Sequence, residues 1–195
     1  ADSVKPVAAT DDATFIRRVT LDLAGRIPTA AEVWAYIQSG ESYKKAKLVD
    51  DLLASGSFQR QQVAEFIWLL NEGRDDGFRG YLDKAFADNR SWDKVFEEII
   101  LAKADTDAVK GAEKFYRNRI GDLDRLTNDV SVNFFGVNVS CAQCHDHPEV
   151  PSWKQDHYYG MKSFFNRTFE NGNHIGEREY GLVSFKTTTG VEKKA

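Results

Sequence analysis

The 195-residue sequence is defined first by what it lacks. No apolar run approaches membrane-spanning length, so no membrane insertion is expected. There is no basic excess. The net charge is −4 and the pI about 5.6, whereas a nucleic-acid-binding surface needs a basic face, so no nucleic-acid partner is expected. The sequence opens Ala1-Asp2-Ser3, with no initiator methionine and no hydrophobic leader, as suits a mature exported protein or a piece cut from a larger one. Sulfur is scarce: two cysteines and one methionine. What is present is enough to fold. With 42% hydrophobic residues the chain can bury a substantial core, and one domain is the natural expectation.

Both cysteines fall in one stretch, Cys141-Ala142-Gln143-Cys144-His145, followed by Asp146-His147-Pro148. This spacing reads as a c-type haem attachment site. Two thiols one turn apart can each add to a vinyl group of one haem, and the next residue, His145, can take an axial position on iron. Three readings compete. A redox dithiol favours a βαβ context, which the flanking sequence lacks. A zinc site would need His145, His147 or His157 to complete a tetrahedron. A disulfide would close a loop too short to be a useful staple. The haem reading is preferred. Covalent attachment in bacteria takes place outside the cytoplasmic membrane, so a periplasmic or extracellular location is expected, and the absence of other cysteines agrees with it.

The rest of the chain reads as mainly α, a helical bundle-like domain around the attached haem with a short C-terminal β segment. Residues 1–12 read as an N-terminal arm, 13–170 as the helical domain, and 171–195 as a turn and strand or hairpin leading towards a following domain. Asp11 or Asp12 caps a first helix with Phe15, Ile16, Val19 and Leu23 inward, ended by Gly25. Thr29 to Glu32 is a capping box for a helix using Val33, Trp34 and Ile37. Leu48, Leu52 and Leu53 face inward on a third, and Ser57 caps a fourth. Helices are expected over 78–87, from Ser91, over 112–120 and over 122–135, with Gly136 as the last C-cap. That last helix delivers the cysteine motif, and Phe134 and Phe135 could reach a haem edge. Trp153, His157, Met161 and Phe164 recur at helical spacing, as either core or cofactor wall. Residues 171–176 read as a turn. Strand chemistry starts only after Glu177, over 179–188, with a partner only from Gly190 onward.

Three stretches carry a family resemblance: Phe15 to Thr29 (FIRRVTLDLAGRIPT), Lys47 to Ser55 (KLVDDLLAS), and a block from Asp129 through Phe134-Phe135-Gly136-Val137 and the Cys141–Pro148 motif to Trp153, Tyr158-Tyr159-Gly160 and Phe164-Phe165. In these the sequence resembles a planctomycete-type cytochrome-C-like domain family found in large exported multidomain proteins. Resemblance extends over residues 13–168 and is weakest over 71–110. It implies haem and export more than any reaction, and the family commonly has other residue types near His157 and Met161.

One covalently held haem c would suit single-electron transfer with a redox partner protein, flanking domains or other subunits of a larger exported protein being further partners. The alternatives are a haem enzyme or small-ligand sensor with an open sixth position, or a structural module of an exported assembly. The cofactor-binding set is Cys141, Cys144, His145, Met161 and Phe135. The iron ligands are His145 on the proximal side, with Met161, His157 or His174 as distal candidates. His147 is too close to His145 to reach the opposite face. Arg17, Arg18, Arg117 and Arg119 are candidate propionate partners.

Overall fold

Asp11 starts the first helix. Its carboxylate accepts the Thr14 amide at 2.8 Å, and α1 (Asp12–Ala24) stops where Gly25 turns left-handed at φ 65°. The computed structural model describes residues 8–103, 105–172 and 174–195, with His174 described by its backbone alone. Most of the expected N-terminal arm, residues 1–7, lies outside the described residues. The chain forms two compact units, one reaching Glu65 and the other Phe66–Ala195, with the division inside a helix.

The first unit contains α1, α2 (Ala30–Gln38), α3 (Lys44–Leu53) and the start of α4 (Gly56–Asn71). The Thr29 capping box is formed in both directions, and Arg26 adds an ion pair to Glu32 at 2.7 Å. The inward face of α2 differs from expectation. Tyr36 is the buried residue, stacked on Phe15 with ring centroids 6.3 Å apart, while Trp34 is 68% exposed and Ile37 is exposed. Positions 34 and 36 point roughly 200° apart around a helix, so burying one ring expels the other. Leu53 is exposed and Leu52 is buried. Ser55, not Ser57, caps α4, its hydroxyl accepting the Phe58 amide at 3.1 Å.

The second unit packs α5 (Phe78–Ala87), α6 (Trp92–Leu101), α7 (Lys114–Arg117) and α8 (Leu123–Phe135) around Phe78, Tyr81, Ile99, Phe115, Leu126 and Val130. The helix expected over 112–120 shrinks to the single turn of α7. Gly111, at φ 102°, sits where a Cβ would lie 2.4 Å from the Gly77 carbonyl, a conformation and a close approach that both require glycine. Arg119 is 2% exposed, paired with Asp129 at 2.6 Å and donating to the Phe115 and Leu70 carbonyls. Arg117 binds Glu170 at 2.7 Å. Both arginines, candidates for propionate partners, are ion-paired within the protein. Arg17 and Arg18 are exposed on α1 of the first unit.

Two antiparallel hairpins follow α9 (Gln155–Ser163). The first pairs β1 (Thr168–Asn171) with β2 (His174–Glu177), so extended structure begins well before Glu177. Gly172, at φ 57°, makes the reversal, and Gly176 lets the Phe169 ring lie across the partner strand. The second pairs β3 (Ser184–Lys186) with β4 (Glu192–Lys194), giving the late strand the partner expected beyond Gly190. Among the described residues no helix is long and apolar enough to cross a membrane.

Candidate functional site

The cysteine motif is delivered by α8. Asp122 caps its start, accepting the Asp124 and Arg125 amides, and Gly136 ends it at φ 67° with its amide on the Val132 carbonyl. Asn138 then accepts both the amide and the hydroxyl of Ser140, opening a 3-10 helix over Ser140–Gln143. Ala142 is the inward residue, fully buried with Val139 and Tyr158 and flanked by Val137 and Tyr159. Side chains three apart eclipse in such a turn, so Cys141 and Cys144 share one side of it. Both cysteines are free and exposed.

His145 is exposed, and its Nδ1 lies 2.7 Å from the Asp146 carbonyl oxygen. A carbonyl can only accept, so Nδ1 carries the proton and a neutral ring presents a bare Nε2. The neighbouring histidines are held the other way round. His147 Nδ1 accepts the Glu149 and Val150 amides at 3.2 and 3.1 Å, while its ring stands edge-on to Trp153. His157 Nδ1 accepts the Lys154 amide at 2.9 Å at the start of α9. Each of these rings, when neutral, keeps its proton on Nε2. Among the three histidines whose side chains are described, His145 is the one with an unengaged basic nitrogen. His174 pairs with Asn171 in β2, and its side chain lies outside the described residues.

The stripe Trp153, His157, Met161 and Phe164 does not form a core face. Phe164 is 78% exposed, His157 is exposed, and Trp153 and Met161 are half-buried. The residues α9 buries are Gln155 and Tyr158. Burial, together with its hydrogen bond to Asp124, pushes the Tyr158 phenol well above its ordinary range. Burial also acts to raise the Asp124 carboxyl, but the hydrogen bonds from Lys162 and Tyr158 prevail and hold it below its ordinary value. Phe134 is enclosed by Trp92, Phe96 and Phe115, whereas Phe135 is 54% exposed, with Phe96 against its edge. Of the two phenylalanines suggested for a haem edge, Phe135 is the one on the surface.

The supporting residues around the motif were not visible in the sequence. Gln155 Nε2 and the Tyr159 hydroxyl both donate to the Gln143 carbonyl, at 3.3 and 3.2 Å. Gln155 Oε1 accepts the Thr188 amide, and Phe185 of β3 lies flat on Tyr159. The hydrogen bond from Lys154, at 2.8 Å, holds the Asp146 carboxyl below its ordinary value and ties the loop after His145 to the start of α9. The adjacent tyrosines 158 and 159 were the available signal, one ring facing the core and the other the hairpin.

The donor set of the motif is two thiols and one imidazole. Among the described residues no group of three or more histidine, cysteine, aspartate or glutamate side chains is gathered to hold a metal ion, so no tetrahedron forms around Cys141 and Cys144. Covalent haem attachment asks less of the chain: two accessible thiols three apart and one imidazole with a free Nε2, all of which are present.

A family model described as PSCyt2, protein of unknown function (DUF1549), matches residues 1–170. No curated protein and no solved structure matches the chain.

Proposed function

The chain belongs to the PSCyt2 (DUF1549) family, and from that premise we propose that it is a c-type cytochrome domain carrying one covalent haem and passing single electrons outside the cytoplasmic membrane. The observation that carries this reading is the contact of His145 Nδ1 with the Asp146 carbonyl oxygen. The motif histidine is the one whose Nδ1 is tied to a backbone carbonyl, leaving Nε2 free beside two exposed thiols.

In this reading the Cys141 and Cys144 thiols would hold the haem through one thioether bond each, formed by addition of S–H across a vinyl group. His145 would bind the iron through Nε2, and Phe135 is a surface ring that would be available to the macrocycle. A bound haem supplies a one-electron iron couple, whose potential is set by axial ligation and burial. The protein contributes a motif held from three sides: α8 behind it, the Gln155 and Tyr159 bonds to its carbonyl, and the Asp146–Lys154 link on its far end.

On the distal side, His157 is disfavoured because its Nδ1 caps the backbone and its Nε2 carries the proton. Met161, half-buried on the same helix, and His174 are then the candidates for a sixth ligand. An open sixth position would make the domain a ligand-handling haem protein instead. A redox partner protein and flanking domains of a larger exported protein complete the proposal.

Intact-mass measurement on denatured protein, produced in cells with a working haem-maturation system, should show one added haem. It should be lost when Cys144 is changed to serine. An unmodified mass for the wild-type protein would overturn the cytochrome reading.

A further inference from the structure

The first unit contains a cavity of about 450 Å³ between α1, α2 and α3. Its apolar lining is Ile16, Ala35, Leu48 and Leu52. The charges around it are balanced. Arg26, Lys44 and Lys47 face Glu32, Glu41 and Asp51, and the strongest contacts are closed ion pairs: Arg26–Glu32 at 2.7 Å and Lys47–Asp51 at 2.9 Å. Lys44 is held by Asp12 at 2.6 Å. Glu41 lies within electrostatic reach of Lys47. A charged ligand would have to break a pair to be matched, which disfavours anions and cations alike.

Tyr36 lines the same cavity, is 7% exposed, and its hydroxyl is buried with no hydrogen-bond partner. Buried polar groups are almost always satisfied, so such a hydroxyl marks a place where a partner is missing. The ring is fixed in advance, stacked on Phe15 and lying 5.0 Å beneath the Lys44 ammonium. Its donor therefore needs little ordering to bind.

We propose that this cavity binds an uncharged, mostly apolar molecule bearing one hydroxyl or carbonyl oxygen, which accepts the hydrogen bond of Tyr36. The size sets the class. An apolar cavity of roughly 150 Å³ takes one benzene ring, so about three times that volume admits a two- or three-ring molecule. The site lies wholly within the first unit and does not depend on the haem reading.

The test is calorimetric titration of the full chain with 2-naphthol as probe and naphthalene-2-sulfonate as its charged counterpart. Saturable one-to-one binding of 2-naphthol is expected, with little or none of the sulfonate. Tyr36→Phe should weaken 2-naphthol binding roughly five- to tenfold, the loss of one hydrogen bond. The same variant should melt no lower than wild type without ligand, because it removes an unsatisfied hydroxyl. Ala35→Phe, changed at an exposed residue on the cavity wall, should block binding while the fold is retained. No saturation by 2-naphthol, equal binding of the sulfonate, unaltered binding in both variants, or a clearly lowered melting point of unliganded Tyr36→Phe would each overturn the proposal.

Discussion

Tyr159 and Phe185 lie face to face, their ring centroids 4.0 Å apart and their planes within 8°. The hydroxyl of that tyrosine donates to the Gln143 carbonyl inside the cysteine motif. The second hairpin is therefore coupled to the 3-10 turn through one side chain of α9. Phe185→Ala should cost about 3 kcal/mol in denaturant unfolding, through lost burial and the lost ring pair. It should also speed amide exchange over residues 140–145. Lowered stability with unchanged exchange there would uncouple the hairpin from the motif.

The Phe185 stack also bears on where the domain can be cut. The family match ends at residue 170, before β3 and β4 begin. A chain stopped at residue 170 should be less stable than the full chain, and should show the faster exchange of Phe185→Ala. Equal melting of the two would refute the buttress.

In the haem-loaded protein, Met161→Ala should keep the covalent haem and lose the near-infrared charge-transfer band of ferric thioether ligation. His157→Ala should leave that band in place, since its ring is bonded to the Lys154 amide. A wild-type ferric spectrum without the band removes Met161. Rapid carbon monoxide binding by the reduced protein would then point to an open site.

Glu32 supplies a pH dependence with a defined sign. Its hydrogen bonds, first from Arg26 and then from the Thr29 amide, hold its carboxyl at about 2, against an ordinary value of 4.5. The depressed group stabilises the fold fully above pH 4.5 and progressively less as pH falls towards 2. Carboxyl-carbon NMR should place its midpoint near the lower figure, and Glu32→Gln should flatten the acid limb of the stability curve. A midpoint at the ordinary value would show that neither the Arg26 pair nor the Thr29 amide holds the carboxylate in solution.

Asp129 compensates a buried charge. Asp129→Ala would strand the guanidinium of Arg119, whose side chain is 2% exposed, and should cost about 3 kcal/mol by thermal or chemical unfolding. Replacing both residues with leucine should recover part of that loss, because no unpaired charge then remains. A double variant as unstable as the single one would assign the cost to packing instead.

Much of the helical frame was legible because its punctuation is local. Asp11, the Thr29–Glu32 box, Gly25 and Gly136 each act on amides or turns a few residues away. The failure on α2 has a different cause. Tyr36 displaced Trp34 from the inward face through its stack on Phe15, a residue distant in sequence. At the candidate site, Cys141, Cys144 and His145 stood out by spacing alone. The roles of Gln155, Tyr159 and Phe185, and the opposite tautomers of His145 and His157, depend on which carbonyl or amide lies nearby in three dimensions.

Ala142 lies fully buried between two exposed cysteines. The two spacer positions of the motif are therefore not interchangeable wildcards. A side chain much larger than a methyl group at the first would lever the turn off Tyr158 and splay the thiols, whatever the rest of the pattern says. A scan for relatives that weighted smallness at that single letter would reject chance Cys-x-x-Cys-His strings that the bare pattern accepts.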